Sequence, residues 1–304
     1  MEVLKGKGLS VKTKKGVIGL DYAGKDCDIA FLSHAHSDHL FKTKNKVLCS
    51  DETDELVKIK GLNLNRAILP ENMKMVDSGH ILGSKSLVID EDGQKLVFTG
   101  DFSLKNKGFN KSFTPIPCNT LIIESTFGMP KFVFPNFDDE MKRAKDWVDD
   151  NTKKGYLSVL CGYALGKNQS VQNYFRDYNS SIHDSVKNYN KVYEKYGVKL
   201  PSHNELKKSD LLFAPLMSKK NEYFQELSRE RKIKSAVFSG WNIFDDYKYR
   251  FGADSGFTIS DHADFKELLT TVKLSSPKKI FVHHGFSEQF TNFLRFEGYD
   301  VEEI

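Results

Sequence analysis

Four cysteines in 304 residues are too few for a disulfide framework. Cys27, Cys49, Cys118 and Cys161 stand far apart and form no CxxC pair, which also argues against a cysteine zinc knuckle. No run of about 18 apolar residues could span a bilayer. The opening segment MEVLKGKGLSVKTKKG is charged and lacks the apolar stretch of a secretory signal. The expectation is therefore a cytoplasmic protein with no membrane partner. Charge of one sign is scarce too: the net value is +4, which by itself does not demonstrate a polyanionic partner. There is no internal repeat and no low-complexity tract. What is present is an ordinary globular balance, 39% hydrophobic and 28% charged residues. The length suits one large domain, or one carrying an insertion.

Three stretches differ in texture. Up to about residue 129, short apolar runs end at polar residues: Ala30-Phe31-Leu32, Leu96-Val97-Phe98-Thr99, Leu121-Ile122-Ile123. Such runs predict buried strands. Glu91-Asp92-Gly93, between Leu87-Val88-Ile89 and the Leu96 run, predicts a hairpin. From 130 to about 235, helical spacing dominates: Met141, Ala144, Trp147 and Val148 share a face, as do Val171, Tyr174, Phe175 and Tyr178. Ile182, Val186 and Tyr189 are expected to continue a helical hairpin. Strands at Leu157–Cys161 and Leu211–Ala214 make this a small α/β unit. After Ala236 the first texture returns. Ala236-Val237-Phe238 and Lys279–His283 predict strands. Phe265, Leu268, Leu269 and Val272 form a helix face capped by Asp264, and Ser287–Glu297 a helix stopped at Gly298.

The chemistry is concentrated in Ser33-His34-Ala35-His36-Ser37-Asp38-His39. Three of the nine histidines and an aspartate fall within six residues, directly after an apolar strand. Imidazole and carboxylate are the ligands that borderline metals such as zinc prefer, and the spacing can aim them at two adjacent sites. Further groups also follow apolar runs. They are Asp77-Ser78-Gly79-His80, Thr99-Gly100-Asp101, Ser260-Asp261-His262-Ala263-Asp264 and His283-His284-Gly285. Open α/β sheets place their sites at strand ends. His183 and His203 lie outside these groups and read as surface residues.

HxHxDH at His34 to His39, followed by Gly79-His80, Gly100-Asp101 and His284-Gly285, resembles the metallo-β-lactamase superfamily. Within it, Ile123-Glu124-Ser125-Thr126-Phe127-Gly128 resembles motif A of the β-CASP nucleases. The segment Gly162 to Gln169 resembles the helix entry of their inserted cassette. Ser239-Gly240-Trp241 and Ser260 to Asp264 resemble the cassette exit and motif B, and His284-Gly285 resembles motif C. The nearest likeness is to compact prokaryotic members, RNA-processing or ligase-associated exonucleases.

The resemblance implies an α/β fold: an αββα sandwich with an inserted α/β β-CASP cassette. The parts would be 1–129 and 239–304 for the sandwich and 130–238 for the cap. It implies two zinc ions, with manganese as a substitute. His34, His36 and His80 would hold one; Asp38, His39 and His284 the other; Asp101 would bridge them. Asp21 would brace the metal loop. His262 would be the general acid, with Glu124 orienting it or bracing the site; a buried structural role for Glu124 is the alternative. Gly166 and Lys167, at a helix start, would receive substrate phosphate. Departures from the family pattern are the stretched Asp21-Tyr22-Ala23-Gly24, Lys167 where relatives usually carry Arg, the doubled His283-His284, and a short cassette.

The implied partner is RNA or single-stranded DNA, cut as a 5′-to-3′ exonuclease with the strand threaded beneath the cap. An endonuclease of the RNA 3′-end processing type is the alternative. A small-molecule metallo-hydrolase and a non-catalytic subunit are the other classes the metal motif alone would allow.

Overall fold

A computed structural model describes residues 1–106 and 111–304. The chain first lays down β1 (Glu2–Lys5), β2 (Leu9–Thr13), β3 (Gly16–Leu20), β4 (Ile29–Phe31) and β5 (Lys46–Leu48), then α1 (Asp51–Ile59). Next come β6 (Met73–Asp77), β7 (Lys85–Glu91), β8 (Gln94–Phe98) and β9 (Thr120–Glu124). Then follow α2 (Phe137–Lys153), β10 (Leu157–Gly162), α3 (Lys167–Tyr174), β11 (Ser180–Ile182), α4 (Asp184–Lys195), β12 (Leu211–Pro215), α5 (Glu222–Glu230), β13 (Ile233–Phe238) and β14 (Ser255–Phe257). The chain closes with α6 (Phe265–Ser275), β15 (Lys279–His283), α7 (Ser287–Phe296) and β16 (Val301–Glu303). Among the described residues no helix is long and apolar enough to cross a membrane.

Two compact units result, Met1–Val133 with His262–Ile304, and Phe134–Asp261. The first holds two sheets, ordered β1-β2-β3-β4-β5 and β16-β15-β9-β8-β7-β6. Alternation along the strands of the second sheet divides its side chains between two cores. Leu87, Ile89, Leu96, Phe98 and Ile122 face the other sheet, meeting Val11, Ile18, Leu20, Phe31 and Leu48. Their neighbours Val88, Val97, Leu121 and Ile123 face Phe265, Leu268, Val272, Phe290 and Leu294 of α6 and α7. Phe31 meets Phe98 edge-on at 6.0 Å, a pair worth about 1 kcal/mol beyond its buried area. The order is helices, sheet, sheet, three successive layers of the expected αββα sandwich. The predicted hairpin is present: Glu91 pairs with Gln94, and Asp92 and Gly93 both take positive φ, the two-residue turn whose twist suits a hairpin.

The second unit is a five-stranded parallel sheet, ordered β11-β12-β10-β13-β14. Met141, Ala144 and Val148 of α2, with Val171 and Phe175, cover one face. Phe224 and Leu227 of α5 cover the other. Two expectations need correction. The second unit runs to Asp261, not to 238, because β14 adds to the sheet beside β13, with Phe257 against Phe238 in register, and Ile259 joins its core. Ile182 does not belong to a helical hairpin: it ends β11, which pairs with β12, and the helix starts at Asp184 behind His183.

Candidate metal centre

Strand direction assembles the site, all of it within the first unit. β8, β9 and β15 run parallel, and β6 runs the same way because it is antiparallel to β7, which is antiparallel to β8. The carboxyl ends of four strands therefore share one edge. His80 follows β6, Asp101 follows β8, Glu124 ends β9, and His283-His284 ends β15. From the facing sheet, β4 delivers the loop His34 to His39. Gly285 lets β15 turn there. With φ +67°, it lies where an added Cβ would come within 2.3 Å of the Thr126 Cα, so only glycine fits.

One ligand atom from each of His34, His36, His80 and Asp101 lies within 4.8 Å of the others, and a second such group is Asp21, His34 and His39. The Asp101 Oδ2 is central: 3.3 Å from His39 Nε2, 3.4 Å from His34 Nε2, 3.7 Å from His80 Nε2 and 3.8 Å from His262 Nδ1. His80 Nε2 and His36 Nδ1 face each other at 2.9 Å. Hydrogen bonds fix which nitrogens point inward. Ser33 donates from both N and Oγ to the Asp21 carboxylate, at 2.6 and 2.7 Å. With its only proton so committed, Ser33 Oγ accepts from His34 Nδ1 at 2.8 Å. His39 Nδ1 donates directly to Asp21 Oδ2 at 2.8 Å. Both rings are thereby held with Nε2 toward Asp101, the arrangement that carboxylate-braced metal histidines adopt.

This pocket is dry. His34, His80 and Asp101 are at most 2% exposed. Burial, reinforced by His39, keeps His34 well below the ordinary imidazole range; burial and His262 do the same for His80. His39 goes the other way: burial opposes its charge, but Asp101 and Asp21 outweigh it and push it up to about 12. Asp101 is held well below the usual carboxylate range; burial works against this, and His39 and His262 overcome it. Among the described residues, buried His34 Nε2, His39 Nε2 and Asp101 Oδ1 make no hydrogen bond. Buried polar atoms without partners are costly. Such atoms, on side chains that belong to the clustered His and Asp groups, fit a site for divalent cations.

Beside this group stands a second pair. Glu124 is 0% exposed and accepts from Phe102 N at 3.1 Å, from Thr126 N at 3.1 Å and from the Thr126 hydroxyl. His262 Nδ1 lies 3.1 and 3.3 Å from its two oxygens. A carboxylate only accepts, so Nδ1 carries the proton and Nε2 is turned away from Glu124.

The remaining expected residues are placed less uniformly. Asp38 is 65% exposed in its side chain, with Oδ2 3.9 Å from His39 Nε2. The doubled histidine divides its roles. His283 stacks on Phe98 at 5.4 Å, and burial lowers it to about 4, whereas His284, with φ +64°, faces His39 at 5.9 Å. Gly166, at φ +93°, starts α3, and its N–H is taken by Gln169 Oε1 at 2.7 Å. Lys167 departs from the expectation of an open cation: it is 2% exposed, with Nζ 3.1 Å from Asp261 Oδ1. His183 caps α4 through Nδ1, and His203 bonds Ser180 and Gln172; neither joins the metal centre. Ser33 and Thr126 were not singled out from sequence. The available signal was position, a hydroxyl directly before the first histidine and another two residues after Glu124.

No protein-family profile matches the chain. It is similar to a probable DNA ligase of Opitutus terrae, 28% identical over 90% of this chain and 28% of that protein. It is also similar to an RNase J-like protein of Methanocaldococcus jannaschii, 26% identical over 55% of this chain and 52% of that protein. A third relative is the endoribonuclease YSH1 of Saccharomyces cerevisiae, 29% identical over 47% of this chain and 19% of that protein. The chain thus spans about a fifth to a half of the length of these relatives. With helices and facing sheets carrying a His/Asp cluster at the strand ends, the chain is similar, at modest identity, to β-CASP nucleases of the metallo-β-lactamase superfamily.

Proposed function

We propose that the chain hydrolyses phosphodiester bonds of RNA or single-stranded DNA, trimming strands from the 5′ end, with two zinc ions as its metals. The observation that carries this reading is the convergence of His34, His39, His80 and Asp101 beside the Glu124–His262 pair. An imidazole-rich donor set suits zinc better than magnesium, and manganese is the natural substitute. His34, His36 and His80 would hold one cation, Asp38, His39 and His284 the other, with Asp101 shared. Bound there, the cations would supply charge neutralisation for the phosphodiester and a water deprotonated near neutral pH.

The chain's own residues supply the rest. Asp21 and Ser33 orient the His34 and His39 rings. Glu124 fixes the tautomer of His262, whose Nε2, once protonated, donates to the leaving ribose oxygen. Such acid catalysis is worth roughly 10²–10⁴-fold. A small-molecule hydrolase needs no such pair for a good leaving group, and a non-catalytic subunit needs neither pair nor cluster. Relatives named as ribonucleases support RNA. A relative matched over most of the chain is named a probable DNA ligase, which makes DNA the second reading.

The test uses zinc-loaded protein with end-labelled and circular single strands of RNA and DNA, bearing 5′ phosphate or 5′ hydroxyl. Stepwise shortening from the 5′ end is expected, and Asp101→Ala should abolish it together with bound metal. Cuts in the circle would make the enzyme an endonuclease. Full activity without a transition metal would overturn the reading.

A further inference from the structure

A nucleic-acid strand carries a charge at every linkage, and a metal centre answers only the one being cut. Lys60 stands beside that centre. It is the C-terminal cap of α1, and its place is set by backbone: Gly61, at φ +75°, donates to Lys58 O at 2.9 Å, and Leu62 N to Val57 O at 3.4 Å. Helix ends closed in this way are well defined. From there the half-buried side chain reaches the metal loop, where Nζ donates to Ser37 Oγ at 2.8 Å, between His36 and Asp38.

The nature of this tether matters. Lys5, Lys58 and Lys279 each lie against a carboxylate, which cancels their charge locally. A hydroxyl positions an ammonium without neutralising it. An ammonium has three donors, and Ser37 uses one. The result is a cation held against the loop that carries His34 to His39, with donors to spare; burial disfavours its charge, and the Asp38 carboxylate nearby partly offsets that without a direct ion pair.

We propose that Lys60 is a substrate-contact residue that receives a backbone phosphate adjacent to the one being hydrolysed. The proposal rests on the nuclease reading above. The bland alternative is a structural pin between α1 and the metal loop, and the two roles separate experimentally. Lys60→Gln keeps a donor for Ser37 but no charge; Lys60→Arg keeps the charge; Ser37→Ala removes the pin and leaves the charge.

The measurement is anisotropy of a fluorescent single strand with hydrolysis-resistant phosphorothioate linkages, bound to zinc-loaded protein across a salt series. Bound zinc is measured in parallel. One lost single-strand phosphate contact should lower the slope of log affinity against log salt by about 0.7. Lys60→Gln should show that drop, while Lys60→Arg and Ser37→Ala keep the parental slope and all three keep their zinc. An unchanged slope in Lys60→Gln, or an equal drop in Ser37→Ala, would overturn the proposal in favour of the pin. If the parent protein binds no single strand at low salt, the nucleic-acid reading falls, and the Lys60 contact with it.

Discussion

Glu124 sits where a lone carboxylate would be expensive, yet every donor around it has a purpose. Phe102 N and Thr126 hold it in place, and the last donor is His262. His262 is 21% exposed in its side chain, in contrast to the enclosed His34 and His80, which suits a group that must meet a substrate and exchange protons. His262→Ala should retain metal and lose roughly 10²–10⁴-fold in rate on RNA or DNA. A nitrophenyl phosphodiester, whose leaving group needs no proton, should be affected far less. Loss of metal in this variant would mean that His262 is a ligand instead. The ligand types were legible because they are short-range patterns after apolar runs. The expectation of His284 rather than His283 as the ligand rested only on the following Gly285. A strand alternates faces, so one of the two must turn into the core, and His283 does so against Phe98. The fate of Lys167 was not legible: its partner Asp261 is far along the chain, and only the folded second unit brings them to 3.1 Å.

At the scale of elements, α6 shows how local chemistry sets a boundary. Asp264 Oδ1 accepts from Glu267 N at 3.0 Å, and Asp264 N donates back to Glu267 Oε2 at 3.0 Å, a reciprocal capping box. Glu267 Oε1 also accepts from Leu104 N at 3.0 Å, tying the helix start to the segment after Asp101. Asp264→Ala should cost about 1–2 kcal/mol, read as a lower urea midpoint at an unchanged m value. A shift in midpoint too small to measure would show that Leu104 N and Lys105, whose Nζ lies 3.6 Å from Glu267 Oε2, hold the helix start without the cap. This boundary was readable from sequence because a cap is a contact three residues long. The three-residue β11 was not: nothing local marks Ser180–Ile182 as a strand, and its pairing with Leu211–Phe213 comes from far along the chain. The same reason moved the end of the second unit from 238 to Asp261. The short strand β14 is recruited by β13, with the intervening chain coiled in short 3-10 turns.

Over the whole molecule, the metal centre and the second unit should be thermodynamically separable. Every expected ligand belongs to Met1–Val133 or His262–Ile304, while the cores around Phe213 and Phe238, and around Val159 and Phe224, draw only on Phe134–Asp261. Without a cation the first unit must keep imidazoles and a carboxylate enclosed together, with buried polar atoms that lack a well-formed hydrogen bond among the described residues. A metal that binds that native arrangement and not the unfolded chain would stabilise it by mass action, by about 2.7 kcal/mol at a hundredfold excess over Kd. For a unit of this size that corresponds to roughly 5–10 °C in Tm. Calorimetry on the full chain should show two transitions. Adding a chelator should lower one by about that amount and leave the other in place, and adding zinc back should restore it. The fixed transition should also be indifferent to Asp101→Ala. Equal movement of both would mean that the two units unfold as one cooperative body. No movement of either would mean that the cluster holds no metal that stabilises it, and the catalytic reading built on that cluster would have to be abandoned.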